Sequence, residues 1–515
     1  MVRALIRCAC WTVFALSASG CAVLPPYFRN GFKVGPNFET PPATVAESWI
    51  DADDKRIHPN AEVPDTWWTA FQDPVLDQLI ADASRQNLTL REAGFRILQA
   101  RAELALTVGG LFPQAQFAQG SYQRSKTSSA TASSQFLRTK YFSQWNQGFT
   151  LAWELDFWGR FRRAVESSSA VLDASVHDYD DVLVTLLGDV ASNYAQVRVA
   201  QQRIRYARIN ASLQRDTVGI VENREKVGLA KQLDVDQAKS VLFQTEAAIP
   251  ELEIGLRQAT NRLCTLLGKA PEDLRARLGI PNTPEEATAG MLANLVHREI
   301  PSADANILVG IPADLLRRRP DVRRAERLVA AQSAQIGIAK AEYLPHILIN
   351  GTLGGSAADF TTLFKAPAFT GNVGPAFTWN IFNYGRIHSN VRLQRSRFQG
   401  LITRYQGTVL TAQQEVENGL VTFLKSQQRA KLQGQSVDHA QRSASIVLAQ
   451  YEAGTVSISQ LILILQNLVL QQDTLARAKG DIALGLIQTY RALGGGWEIG
   501  EAQRPPPRPH FGRPF

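Results

Sequence analysis

Trp145-Asn146-Gln147-Gly148-Phe149-Thr150-Leu151-Ala152-Trp153-Glu154-Leu155-Asp156-Phe157-Trp158-Gly159-Arg160 returns later in the same chain in altered form. The second version runs from Val373 and ends Phe377-Thr378-Trp379-Asn380-Ile381-Phe382-Asn383-Tyr384-Gly385-Arg386. In the first, Phe149, Leu151, Trp153, Leu155 and Phe157 alternate with Thr150, Ala152, Glu154 and Asp156. In the second, Val373, Phe377, Trp379 and Ile381 alternate with Gly374, Thr378 and Asn380. A period of two is the pattern of a strand, not a helix. Each run has the roughly 9–11 residues a membrane-spanning strand needs. Each also ends in aromatics, as an interfacial girdle does. Taken alone, the same pattern fits a half-buried strand of a soluble sheet.

The surrounding chain repeats as well. Gly159 and Gly385, Gly228 and Gly454, and Gly268 and Gly494 are each 226 residues apart, while Pro113 and Pro345 differ by 232. A constant offset across punctuating residues points to an internal duplication. Asp73-Pro74 starts a helix expected to reach about Leu111, before Pro113. A strand is expected over 113–124, a Ser/Thr-rich loop over 125–140 and a strand over 145–157. A helix of roughly 100 Å then runs from Arg160 to about Val227. Gly228 breaks it, and a second helix runs to Gly268. Residues 269–318 read as an irregular, proline-rich linker. The second half predicts a helix from about Asp321 to Pro345, a strand from Ile347, a loop over 354–371 and a strand over 373–383. Helices follow from Arg386 to Glu452 and from Gly454 to Leu493. The segments are therefore 1–20, a targeting signal; 21–72, an extended arm and equatorial segment; 73–268, the first repeat; 269–318, the equatorial linker; 319–493, the second repeat; and 494–515, a disordered tail. Within the long helix, Val409, Gln413, Val416, Leu420, Phe423, Gln427, Ala430, Gly434, Val437, Gln441, Ala444, Leu448 and Tyr451 form a narrow, mostly apolar seam of coiled-coil type.

Arg3 and Arg7, an apolar stretch over 8–18 and Ala18-Ser19-Gly20 before Cys21 have the layout of an export signal. A cysteine directly after the cut resembles a bacterial lipoprotein signal, and that resemblance implies cleavage before Cys21 and its acylation; an ordinary cleaved signal is the other reading. Cys264 sits in an apolar helical run and reads as a small buried residue. No later stretch carries eighteen consecutive apolar residues, so any crossing must be made by strands. Four strands cannot close a membrane barrel, and open edges are not tolerated in lipid. If the strands span, several chains share one barrel.

The net charge of +8 is spread along 515 residues without a concentrated basic tract, which argues against a nucleic-acid partner. The seven histidines are scattered, with no His-Glu-x-x-His pattern. Phosphate-loop and nucleophile-elbow patterns are also missing. No catalytic residue, metal or cofactor is expected.

Four motifs carry a family resemblance: Lys33-Val34-Gly35-Pro36-Asn37-Phe38; Trp67-Trp68 with Phe71 and Asp73-Pro74; Ile311-Pro312-Ala313-Asp314-Leu315-Leu316-Arg317-Arg318-Arg319-Pro320-Asp321-Val322; and Tyr490-Arg491-Ala492-Leu493-Gly494-Gly495-Gly496-Trp497. Through them the chain resembles outer-membrane efflux channels of the TolC type, in the lipoprotein subgroup (NodT/OprM-like) serving resistance-nodulation-division pumps. That resemblance implies an α+β membrane protein. Its homotrimer would share a twelve-stranded β-barrel, four strands per chain, continued by a coiled-coil helical tunnel with a mixed equatorial belt. Its partners would be a periplasmic adaptor, an inner-membrane pump and outer-membrane lipid. Pro113, Gly159, Pro345 and Gly385 would mark barrel-to-tunnel junctions, and Gly228 and Gly454 the periplasmic tip. In this family the Val-Gly-Pro motif usually follows the lipid-bearing cysteine closely, whereas Val34 lies thirteen residues beyond Cys21. Acidic residues of some members' gates are replaced here by Gln460 and Leu463, while Asp234 and Asp236 remain in the first half. An apolar gate is therefore expected from residues 461–465, with Gln460 and Leu463 nearest the axis and the two aspartates serving docking. The competing reading is that 461–465 only packs the coiled coil. The expected function is passive export of small toxic molecules. The alternatives are a duct for a secreted protein and a periplasmic scaffold that never enters lipid.

Overall fold

The computed structural model describes residues 27–28, 30–58, 64–130, 139, 141–279, 300–302, 307–310 and 312–500. The targeting signal and Cys21 lie outside the described residues. Two compact units divide the chain. One comprises Met1–Pro42, Ile97–Ser175 and Ala325–Tyr405, and the other Ala43–Arg96, Val176–Arg324 and Gln406–Phe515.

The first unit holds a four-stranded antiparallel sheet made of β1 (Ala115–Lys126), β2 (Tyr141–Leu155), β3 (His346–Ala357) and β4 (Phe369–Thr378), in the order β1-β2-β3-β4. The two strand pairs expected from the sequence are joined through β2 and β3, in a register running from Trp145 opposite Ala357 to Leu155 opposite Ile347. That register sorts side chains by parity. Phe149, Leu151, Trp153 and Leu155 share a face with Leu353, Ile349, Ile347, Val373 and Phe377. The opposite face carries Asn146, Thr150, Glu154, Thr352, Asn350 and Asn372. The apolar face is open: Phe149, Val373 and Phe377 are 65%, 78% and 72% exposed. At Gly148 and Gly354 the backbones of β2 and β3 approach so closely that a Cβ on Gly354 would lie 2.2 Å from the Gln147 carbonyl oxygen.

Strand boundaries shift from expectation, most at β2 and β4, and β3 runs on to Ala357 into the expected 354–371 loop. β2 starts at Tyr141, ahead of the expected 145. β4 occupies 369–378, so Trp379–Asn383 leaves the ladder. The cause is local. The Trp379 indole donates to the Tyr343 carbonyl at 3.0 Å, the Ile381 amide folds back onto the Trp379 carbonyl at 3.1 Å, and Tyr384 takes a left-handed φ of 49°.

The long helices are α1 (Pro74–Gln86), α2 (Leu88–Gly109), α3 (Arg160–Lys226), α4 (Gln232–Leu266), α5 (Pro320–Ala341), α6 (Arg386–Glu452) and α7 (Ile458–Ala492). α3 and α6 are each 67 residues long, and α4 and α7 each 35. Asp73 caps α1 by accepting from the Val75 amide at 2.9 Å, with Pro74 in the first turn. The single helix expected from Pro74 to Leu111 is in fact two. Buried Asn87 interrupts it: its carbonyl accepts from the Leu90 amide at 2.9 Å and its amide donates to the Leu266 carbonyl at 2.8 Å. Asparagine thus starts a second helix and ties it to the end of α4.

Gly228, Gly268, Gly454 and Gly494 all have φ between 70° and 77°. At each, the glycine amide bonds three residues back and the following amide five residues back, as with Leu229 to the Arg224 carbonyl at 2.8 Å. This is the Schellman helix ending, which favours a residue without Cβ. It explains why glycine recurs at all four helix ends.

Along α6, Val409, Val416, Leu420, Phe423, Val437, Ala444 and Tyr451 are buried, as the seam predicts. Gln441 is exposed, and Ala440 and Val447 are buried beside that stretch of the seam. The arm packs in its second part: the Trp49 indole donates to the Gly310 carbonyl, Ile57–His58 pairs in parallel with Ile307–Leu308, and Trp67 stacks on Tyr490. One segment reading is corrected. The tail is ordered to Gly500, with 494–496 buried and Trp497–Gly500 helical. A Cβ on Gly496 would meet Leu187, Trp68 and Trp67, so these glycines serve close approach, not looseness. Residues 501–515 lie outside the description.

Candidate functional site

In the first unit the four junction residues lie at the ends of the strands. Pro113 stands between α2 and β1, and Pro345 between α5 and β3. Gly159 and Gly385 immediately precede α3 and α6, with φ of 78° and 77°. Trp153 donates to the Leu111 carbonyl at 3.2 Å, and Trp379 makes the corresponding bond to Tyr343. Trp158 donates to the Pro345 carbonyl at 2.8 Å. On the polar side of this junction a charged cluster forms. Arg160 bonds Glu154 at 2.6 Å, His346 Nδ1 faces Glu154 at 2.8 Å, and Glu342 approaches the Arg160 guanidinium and the His346 ring, each at 3.6 Å. Sequence reading missed this cluster, because its members come from four separate elements.

In the second unit Gly228 and Gly454 turn α3 into α4 and α6 into α7. Asp234 accepts from the Lys231 amide at 2.8 Å and so caps α4, whereas Asp236 is exposed and accepts from Gln232. The 461–465 stretch is divided. Leu461 and Leu465 are buried in the chain's own core with Val235, Leu242 and Tyr451, and Ile462 and Ile464 pack against it. Leu463 remains 64% exposed, and Gln460 is exposed. The packing reading therefore holds for Leu461 and Leu465. Arg224 was not singled out from the sequence. Its guanidinium donates to the Tyr451 carbonyl at 2.7 Å and the Glu452 carbonyl at 3.3 Å, and covers the Tyr451 ring at 5.1 Å. Burial raises the Tyr451 phenol pKa, opposed by Arg224. The only sequence signal was a basic residue in the last turn of α3.

The motif residues form packing nodes. Arg319 binds Asp321 through two bonds of 2.7 and 2.9 Å, Glu415 at 2.7 Å and the Ala492 carbonyl at 2.8 Å, against Gly494. Gly35 lies against Gly337, and Arg163 donates to the Val34 carbonyl at 3.1 Å. Tyr194 donates to Asp73. Nearby, burial and then Asp321 push the Asp181 carboxyl up to about 6. Among the described residues no group of three metal-binding side chains occurs, and no helix is long and apolar enough to cross a membrane.

The family model of the outer membrane efflux proteins matches residues 79–269 and 311–495. The chain belongs to the outer membrane efflux protein family. The pyoverdine export outer membrane protein OpmQ of Pseudomonas putida strain KT2440 is 28% identical over 97% of this chain and 99% of its own length. Nodulation protein T of Rhizobium leguminosarum bv. trifolii is 28% identical over 92% and 97%. The solved outer-membrane channel OprN superposes with a TM-score of 0.82 at 29% identity, covering 90% of this chain and 99% of that one. The protein is thus an outer-membrane efflux channel of the TolC/OprM type and not an enzyme. For such a channel the apolar sheet face is the part suited to lipid, and the charged cluster at Glu154 lies on the polar face.

Proposed function

We propose that three copies of this chain close one twelve-stranded barrel, continued by a helical tunnel, which exports small toxic molecules passively. A periplasmic adaptor and an inner-membrane pump would couple it to an energy source. One observation carries this reading: the four-stranded sheet has an apolar face and two unpaired edges, β1 and β4. Unpaired edges cannot stay open in lipid, so other copies must cover them. Symmetry supports the same arrangement. Residues 73–268 and 319–493 are read as two copies of one unit. Trp158 of the first meets Pro345 of the second within the chain. Its counterpart Tyr384 is fully exposed and would meet Pro113 of the next chain. The export function in the name of the Pseudomonas relative favours a small-molecule cargo over a secreted protein.

In this reading Gly228 and Gly454 form the periplasmic tip, and Gln460 and Leu463 face the axis of a gate closed by dewetting. Asp234 and Asp236 serve the tip's outer surface. Cys21 carries acyl chains, and Pro113, Gly159, Pro345 and Gly385 set the barrel-to-tunnel junctions. Deleting the gene and scoring a drug panel tests the function: increased susceptibility is expected, and an unchanged panel would refute it. Labelling with radioactive palmitate tests the anchor, and label persisting in Cys21→Ser would refute that part.

A further inference from the structure

Residues 27–28 and 30–32 build an aromatic turn beside the end of β2. The Phe32 amide bonds the Tyr27 carbonyl at 3.0 Å and the Gly31 amide bonds the Phe28 carbonyl at 3.3 Å. Gly31 and Phe32 both sit in the left-handed region, at φ of 62° and 59°. That conformation is unfavourable for a residue with a Cβ such as phenylalanine. It persists because its surroundings hold it. Arg162 donates to the Gly31 and Phe32 carbonyls, both at 2.8 Å, and Asn30 donates to the Lys33 and Gly35 carbonyls, both at 3.0 Å. Tyr27 is buried beneath the turn and donates to the Phe157 carbonyl at 2.6 Å. Around it, Phe28, Phe32, Phe157 and Trp158 pack with ring centroids 4.8–6.5 Å apart.

The strained turn nevertheless leaves its large rings outside. Phe28, Phe32 and Phe157 are 57%, 51% and 51% exposed. A backbone outlier that presents apolar rings to the surroundings asks for a functional cause. The neighbouring cations do not explain it, since Arg162 pairs with Asp156 and Lys33 with Glu166. Continuity does. Phe157 follows Leu155, the last residue of the apolar sheet face, so the patch extends that face past the end of the strand. Aromatic rings at such an edge favour the headgroup boundary of a bilayer.

We propose that Tyr27 and Phe28 together with Asn30–Phe32 form a membrane foot that seats Phe28 and Phe32 among the phospholipid headgroups of the leaflet nearest α3, whether or not Cys21 is acylated. The proposal rests on the reading that the sheet enters the outer membrane. It also gives a use to the long interval between Cys21 and Val34. The test places bimane on Phe28→Cys, and separately on Phe32→Cys, in a full-length Cys21→Ser background. Labelling of the Cys264-containing parent is subtracted. The protein is reconstituted in phosphatidylethanolamine/phosphatidylglycerol vesicles carrying a nitroxide near the headgroup. Phe149→Cys reports the sheet and exposed Lys55→Cys reports water. Loss of emission at 28 and 32, as at 149 and unlike 55, is expected. Quenching at 149 but not at 28 or 32 overturns the foot alone. No quenching at 149 overturns the spanning reading beneath it.

Discussion

Arg224 is a single side chain that holds the end of one long helix to another. Charged donors to carbonyls contribute about 1.5–3 kcal/mol when buried, and partial exposure here reduces this to about 1 kcal/mol. Arg224→Ala should therefore leave the fold intact yet raise the closed-state conductance in planar bilayers, since the last carbonyls of α6 lose their partner. The gate residues separate in the same assay. Leu463→Ser should conduct more than the parent, and Asp234→Ala should change conductance little, because Asp234 caps α4. The reverse order would discard the apolar gate. Asp181 gives a pH signature. Its folded pKa is about 6 against an ordinary 3.8, so the folded state binds the proton more tightly than the unfolded state. Its contribution is complete below about 3.8 and is lost as pH rises through 6. Relative to the parent, Asp181→Asn should gain about 3 kcal/mol across that interval and nothing more above it. Thermal unfolding from pH 4 to 8 checks this.

The helix endings carry a sharper comparison. Gly228 and Gly268 share a left-handed backbone, but a Cβ at Gly228 meets nothing, whereas one at Gly268 would lie 2.3 Å from the Gln86 carbonyl oxygen. Gly228→Ala should cost about 1–2 kcal/mol, from the backbone alone. Gly268→Ala should lower the melting temperature further, because a carbonyl cannot yield as a side chain can. Asn87→Ala should cost about 1–3 kcal/mol, since it strips the Leu90 amide and the Leu266 carbonyl of partners. At this scale much was legible. Gly385 and Gly454 bracket α6, and glycine at a helix end is a local signal that any reader of the chain can use. The break at Asn87 was not, because one asparagine within an apolar helical pattern is a weak local sign and its second partner lies on α4. The joining of β2 to β3 also escaped, because register is decided by residues some 200 positions apart. So did Arg224 and the Glu154 cluster, which exist only once distant elements meet. The tail was misread because closely packed glycines and floppy ones have the same composition.

At the scale of the molecule, the exposed Tyr384 predicts a contact between copies. Tyr384→Cys with Pro113→Cys should cross-link under mild oxidation into a ladder ending at three chains, and a ladder ending at two would contradict the barrel. The unpaired edges carry a further result, in genetics rather than geometry. A ring closed from identical parts fails wherever one part is faulty. A chain whose β4 edge is blocked by added prolines, but whose β1 edge is sound, would still be accepted by a normal neighbour and would then spoil the ring. Co-expressed with the intact gene, such a variant should be dominant: functional channels should fall as the cube of the intact share, while total protein in the cell stays constant.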